Sequence, residues 1–211
     1  MKHKSLLSIF IIVLVLMLTS CIDYVQSITY SNGKYHLYHK ITLSKILLEM
    51  TGEDAEYSVD EFLDTSSHEL PDYITLKGVN TETEAGFEFI LDVDPKTASE
   101  EEKQFLPTMS GDKYFIPLHI SESMSDSDDF DNVDLADSVT LLMISTAKLR
   151  VMIAKNIMPS IQNAYFEAED GENFYISVFD YGNNYCLEIP FLLFFKNYLY
   201  DLNRIIITRG E

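Results

Sequence analysis

Polar and apolar residues alternate along much of this chain, and the alternation places its strands. Residues 22–42 predict a β-hairpin. The arm 22–30 is rich in β-branched and aromatic residues. Ser31-Asn32-Gly33-Lys34 supplies a tight turn, because Asn and Gly accept the positive φ it needs. On the second arm Tyr35, Leu37, His39 and Ile41 alternate with His36, Tyr38 and Lys40. Residues 42–50 then read as a short helix ending before Gly52, and 58–63 as another, with Ser58 and Glu61 spaced as a capping box. Strands are expected at 73–79 and 86–94, and a short acidic helix at 97–105. A strand at 113–120 carries Pro117, which predicts an edge position.

Residues 121–137 hold seven acids and no base, with small polar residues between them, and read as a solvated loop. Over 135–158 a short helix followed by a strand from about Lys148 to Ala154 is expected, with helix throughout as the rival; Pro159 ends the unit either way. Residues 164–169, 173–180 and 185–189 predict an antiparallel meander with turns at 170–172 and 182–184. Residues 190–199 predict a helix with Pro190 in its first turn, and 204–208 a closing strand. Strands with occasional short helices, lacking regular βαβ alternation, make the expected fold class α+β with a mainly antiparallel sheet.

The N-terminus follows a different pattern. Lys2 and Lys4 precede a run from Leu6 to Leu18 that is apolar except for Ser8. Thirteen residues make a helix about 20 Å long, against a hydrocarbon core of about 30 Å, so the run has signal-peptide length rather than spanning length. Leu18-Thr19-Ser20-Cys21 follows, and these four residues resemble the lipobox of bacterial lipoproteins at every position. The resemblance implies a diacylglycerol on the Cys21 thiol, cleavage between Ser20 and Cys21, and an acylated new N-terminus. Two or three acyl chains hold a protein stably at a bilayer, at ~0.8 kcal/mol per buried methylene. It further implies a signal peptide at 1–20 and residence on the bacterial envelope facing periplasm or cell exterior; by length, 21–211 is expected to form a single α+β domain with one core. Ile22 follows Cys21, so the enterobacterial signal of Asp directly after the Cys is absent, and the choice of membrane stays open. The folded part is faintly similar to LppM-type lipoprotein domains: a hairpin after the Cys, Thr-Leu-Ser-Lys into a helix, and a late meander ending in Ile189-Pro190. That similarity aligns no functional motif and implies a compact sheet domain able to accept an apolar ligand.

Charge then narrows the partners. The chain has 15 basic and 34 acidic side chains, net −19, and without residues 1–20 it would have 13 and 34, net −21. So acidic a body lacks the basic face that nucleic acid requires and is repelled by anionic headgroups. A lipid would hold it to the membrane while the polypeptide stands off. With 13 Phe and 13 Tyr the chain has ample material for a core. Once Cys21 is lipidated only Cys186 remains, in a predicted strand, and a buried structural thiol is expected there.

Motifs of catalysis are scarce. No glycine pair has nucleotide-loop spacing, no G-x-S-x-G elbow occurs, and no Cys/His cluster has metal spacing. His36 and His39 lie three apart on a strand and should point to opposite faces, which makes them poor joint metal ligands. Asp126, Asp128, Asp129, Asp131 and Asp134 could offer oxygens to calcium, but Phe130 or Val133 breaks the alternation an EF-hand loop needs and 121–137 contains no Gly. No catalytic residue, metal or cofactor is therefore expected. The leading expectation is a non-enzymatic, lipid-anchored structural or interaction module of unknown partner, a protein or an apolar ligand; the alternative is a carrier or sensor of a small apolar ligand such as a lipid, and a third reading is a periplasmic enzyme with dispersed catalytic residues.

Overall fold

The computed structural model describes residues 22–46, 48, 70, 71, 73–118, 147–168, 171–196 and 203–210. Most of these lie in strands, with few and short helices among the described residues. The strands are β1 Ile22–Ser31, β2 Lys34–Ser44, β3 Ile74–Asn80, β4 Glu84–Val93, β5 Thr108–Ser110, β6 Lys113–Pro117 and β7 Lys148–Ala154. They continue with β8 Asn163–Glu167, β9 Asn173–Tyr175, β10 Ser177–Tyr181, β11 Asn184–Pro190 and β12 Arg204–Thr208. Helix α1 is Glu100–Lys103, and a 3-10 helix covers Phe191–Lys196.

Seven strands form the first sheet in the order β10-β11-β7-β1-β2-β4-β3, and five form the second in the order β5-β6-β12-β8-β9. The second is antiparallel throughout. The first is mixed, because β1 lies parallel to β7 at its centre while its other pairs are antiparallel. The fold is thus mostly β, more so than α+β suggests, and its larger sheet is not purely antiparallel. Consecutive hairpins give antiparallel neighbours; β1 and β7 are brought together from distant parts of the chain.

One core joins the sheets. Ile28, Leu37, Leu91, Leu149, Val151, Ile153, Leu187 and Ile189 from the first meet Ile116, Ala164, Phe166, Ile205 and Ile207 from the second. Each fully buried Ile, Leu or Phe contributes roughly 1.5–3 kcal/mol over an exposed one. Phe191, Leu193 and Phe194 of the 3-10 helix join the same core, as does Met158. The apolar stretch at 190–199 is therefore core as far as it is described, with a tighter helix than the expected α-helix.

Several expected elements take another form. Residues 42–44 extend β2 instead of opening a helix, because Thr42, Leu43 and Ser44 pair with Gly86, Ala85 and Glu84 of β4. Lys45, Ile46 and Leu48 are helical, whereas the rest of that expected helix, the one at 58–63 and the acidic loop at 121–137 lie outside the described residues. The acidic helix shrinks to α1, capped by Ser99 accepting from the Glu102 amide while the Glu102 carboxylate accepts from Ser99 N–H. Strand β6 is internal, between β5 and β12, and Pro117 stands at its end. The strand expected at 173–180 is two strands in different sheets: at Ile176 the amide donates to Ala164 O, and the chain then leaves β8 for β11. The expected meander is split accordingly. For residues Lys148–Ala154, strand rather than helix is the outcome.

Candidate functional site

The turn Asn32-Gly33, with φ of +52° and +82°, fixes the register of the first hairpin: Ser31 opposes Lys34, Thr29 opposes His36, and Gln26 opposes His39. This register sorts the side chains of β1 and β2 onto two faces of very different character.

The inner face carries Tyr24, Gln26, Ile28, Leu37 and His39. His39 is 6% exposed and shares a hydrogen bond of 3.1 Å with the Tyr24 hydroxyl. Burial pushes the Tyr24 phenol well above its ordinary pKa. Gln26 is fully buried and donates from Nε2 to the carbonyl of Pro117 at 2.9 Å, a polar tie between the two sheets. Its Oε1 has no hydrogen-bond partner. This is a polar seam inside an apolar core, closed to large molecules.

The outer face carries charge. Arg150 of β7 reaches Asp23 at 2.9 Å and lies 3.8 Å from Glu188, which also meets Lys148 at 2.6 Å. Lys40 pairs with Glu84 at 2.8 Å, and Tyr38 donates to Glu88 at 2.8 Å. Burial, then the Glu88 hydrogen bond, pushes the Tyr38 phenol up to about 12. Exposed pairs of this kind contribute ~1 kcal/mol or less each.

At the turn end of this outer face three side chains form a chain of hydrogen bonds. His36 Nδ1 lies 2.6 Å from Asp92 Oδ1, and His36 Nε2 lies 2.8 Å from Ser31 Oγ. An ionised carboxylate only accepts, so Nδ1 donates to Asp92 and Nε2 is the nitrogen that faces the Ser31 hydroxyl. Register explains the meeting. His36 and Asp92 are directly opposed on β2 and β4, and Ser31 lies diagonally across the hairpin from His36. His36 is 37% exposed and Asp92 58%, so both stand in water.

Apolar side chains also reach solvent. Tyr175, Phe179 and Tyr181 are exposed along the consecutive strands β9 and β10, which end their respective sheets. The Phe179 and Tyr181 rings are in contact. Between them Asp180 is paired with Lys155 at 2.7 Å, and that hydrogen bond holds its carboxyl below the ordinary value.

Cys21, the expected lipidation site, and Ser20, on the other side of the expected cleavage, lie outside the described residues; β1 begins at Ile22, the next residue. Cys186 is buried on β11, and burial pushes its thiol pKa up, which suits a structural thiol. His36 and His39 do face opposite ways. Among the described residues no group of His, Cys, Asp and Glu has the arrangement of a metal site, and no helix is long and apolar enough to cross a membrane. The Ser31-His36-Asp92 arrangement is absent from the sequence expectations. The hairpin register carried half of it, since Asn32-Gly33 already sets Ser31 beside His36; the pairing of β2 with β4 was not readable. No family model, no curated protein and no solved structure matches the chain.

Proposed function

We propose that this protein is a bacterial envelope lipoprotein, held to a membrane through lipid on Cys21, whose α+β body acts as an interaction module facing periplasm or cell exterior. The observation that carries this reading is Leu18-Thr19-Ser20-Cys21 at the end of a short apolar run behind two lysines. The position of β1 supports it: strand structure begins at Ile22, so the body would ride close to the bilayer with almost no tether. The net charge supports a lipid as the membrane contact, since the polypeptide itself is repelled by anionic headgroups. The exposed aromatic edge of β9 and β10 supports a protein partner over nucleic acid.

The test is metabolic labelling with a fatty-acid precursor. The wild type should take up label and partition into detergent, and Cys21→Ser should lose both. Full detergent partitioning of Cys21→Ser at unchanged mass would overturn the reading. Native mass spectrometry of the detergent-solubilised chain sharpens it: a bound lipid beyond the covalent one would replace the interaction module with the carrier of an apolar ligand.

A further inference from the structure

We propose that Ser31, His36 and Asp92 form a hydrolytic site for small carboxylic esters at the turn end of β1 and β2. The connectivity is that of an activated nucleophile: hydroxyl to Nε2, Nδ1 to carboxylate, at 2.8 and 2.6 Å. Such a site is recognised by geometry and roles, independently of fold or chain order. Each part has a physical reason to be where it is. Asp92 fixes the imidazole tautomer, so the ring presents a lone pair to Ser31. The ladder closes at Ser31↔Lys34, so the amides of Asn32 and Gly33 lie beyond its last pair, next to the nucleophile. Lys34 is directly opposite Ser31 on the same face, so a long cationic side chain is rooted beside the nucleophile. Ser31 is exposed, so a substrate can reach it without any opening of the fold.

The chemistry balances without a cofactor. Ser31 Oγ bonds to the ester carbonyl carbon as its proton passes to His36 Nε2. The tetrahedral adduct collapses, the bond from carbon to the alcohol oxygen breaks, and His36 returns the proton to the departing alcohol. Water then attacks the carbonyl carbon of acyl-Ser31 as His36 takes its proton, the bond from that carbon to Ser31 Oγ breaks, and His36 returns the proton to Oγ, so that the carboxylic acid leaves with Ser31 restored. Asp92 stays ionised and stabilises the transient imidazolium. Esters rather than amides fit, because an open surface site offers little help to a poor leaving group.

The proposal is tested on the full-length chain in detergent with p-nitrophenyl acetate and a fluorophosphonate probe. The wild type should release p-nitrophenol in a burst of one equivalent and carry the probe on Ser31 by peptide mass spectrometry. Ser31→Ala should lose burst and probe together. His36→Ala and Asp92→Asn should each slow acylation by about 10²-fold, with urea midpoints close enough to the wild type's to exclude a folding defect. Acylation should be faster at higher pH, because only an unprotonated imidazole can take the Ser31 proton. A rate retained in Ser31→Ala but lost in His36→Ala would mean bare imidazole catalysis and overturn the proposal. So would a probe spread over several serines, or a wild type no faster than Ser31→Ala. Each of these readouts is independent of Cys21, and a Cys21→Ser chain should hydrolyse the ester as the wild type does.

Discussion

His36 and His39 lie three residues apart on β2, yet one stands in water between Ser31 and Asp92 and the other is enclosed with Tyr24 and Gln26. The imidazoles are identical; the faces are not. On the inner face a polar group must find its partner within the protein, and its removal strands that partner in an apolar core. On the outer face water replaces any lost partner, so the same ring is free to do chemistry at little expense to the fold. The difference teaches where to look for structure and where to look for activity in a sheet protein: stability is sensitive on one side of a strand, reactivity on the other.

The largest expected effect breaks both faces at once. A Cβ on Gly86 would lie 2.0 Å from the Ile41 carbonyl oxygen and 2.7 Å from the Thr42 Cα, both backbone atoms of β2. Gly86→Ala should force β4 away from β2, with a loss of about 3 kcal/mol or more by urea denaturation. It should also separate Asp92 from His36, visible as altered His36 ring chemical shifts by NMR. Next comes the inner face alone. Tyr24→Phe leaves a buried histidine nitrogen without its hydroxyl partner and should destabilise by about 1–3 kcal/mol.

The same residue predicts alkaline behaviour. Unfolded tyrosine titrates near pH ~10. Tyr24 and Tyr38 both have raised values in the fold, Tyr38 up to about 12. Their contribution is therefore complete below the unfolded value and declines as pH rises above it, because the unfolded chain gives up its phenolic protons first. The urea midpoint should fall above about pH 10, and Tyr24→Phe should flatten that fall. A midpoint constant to far higher pH would contradict the burial of these phenols.

The smallest effect belongs to the outer face. His36→Ala should change stability by about 1 kcal/mol or less in the same denaturation experiment. A loss as large as that of Tyr24→Phe would erase the distinction between the faces. Cys186, on the outer face by register with Met152 yet buried, should resist thiol reagents in the native state and react on unfolding.

Local chemistry made the first hairpin legible, down to its register, because Asn32-Gly33 determines which residues oppose. It likewise placed β7 and β12, where branched apolar residues cluster. What stayed hidden was set by distant partners. Residues 173–180 read as one strand, and only the hydrogen bond from Ile176 to Ala164 and the later pairing with β11 split it between sheets. Residues 42–44 follow a helical pattern that pairing with β4 overrides. For the site, Ser31 and His36 were within reach of turn chemistry, while Asp92 arrives from a segment 56 residues beyond His36.

The parallel pairing of β1 with β7 has a consequence for biogenesis. A chain emerging from the ribosome delivers β1 and β2 early, but β1 keeps one bare flank until residue 148 has emerged. Through that interval the nascent hairpin offers main-chain donors and acceptors to any extended peptide nearby, and a holding chaperone would have its natural target there.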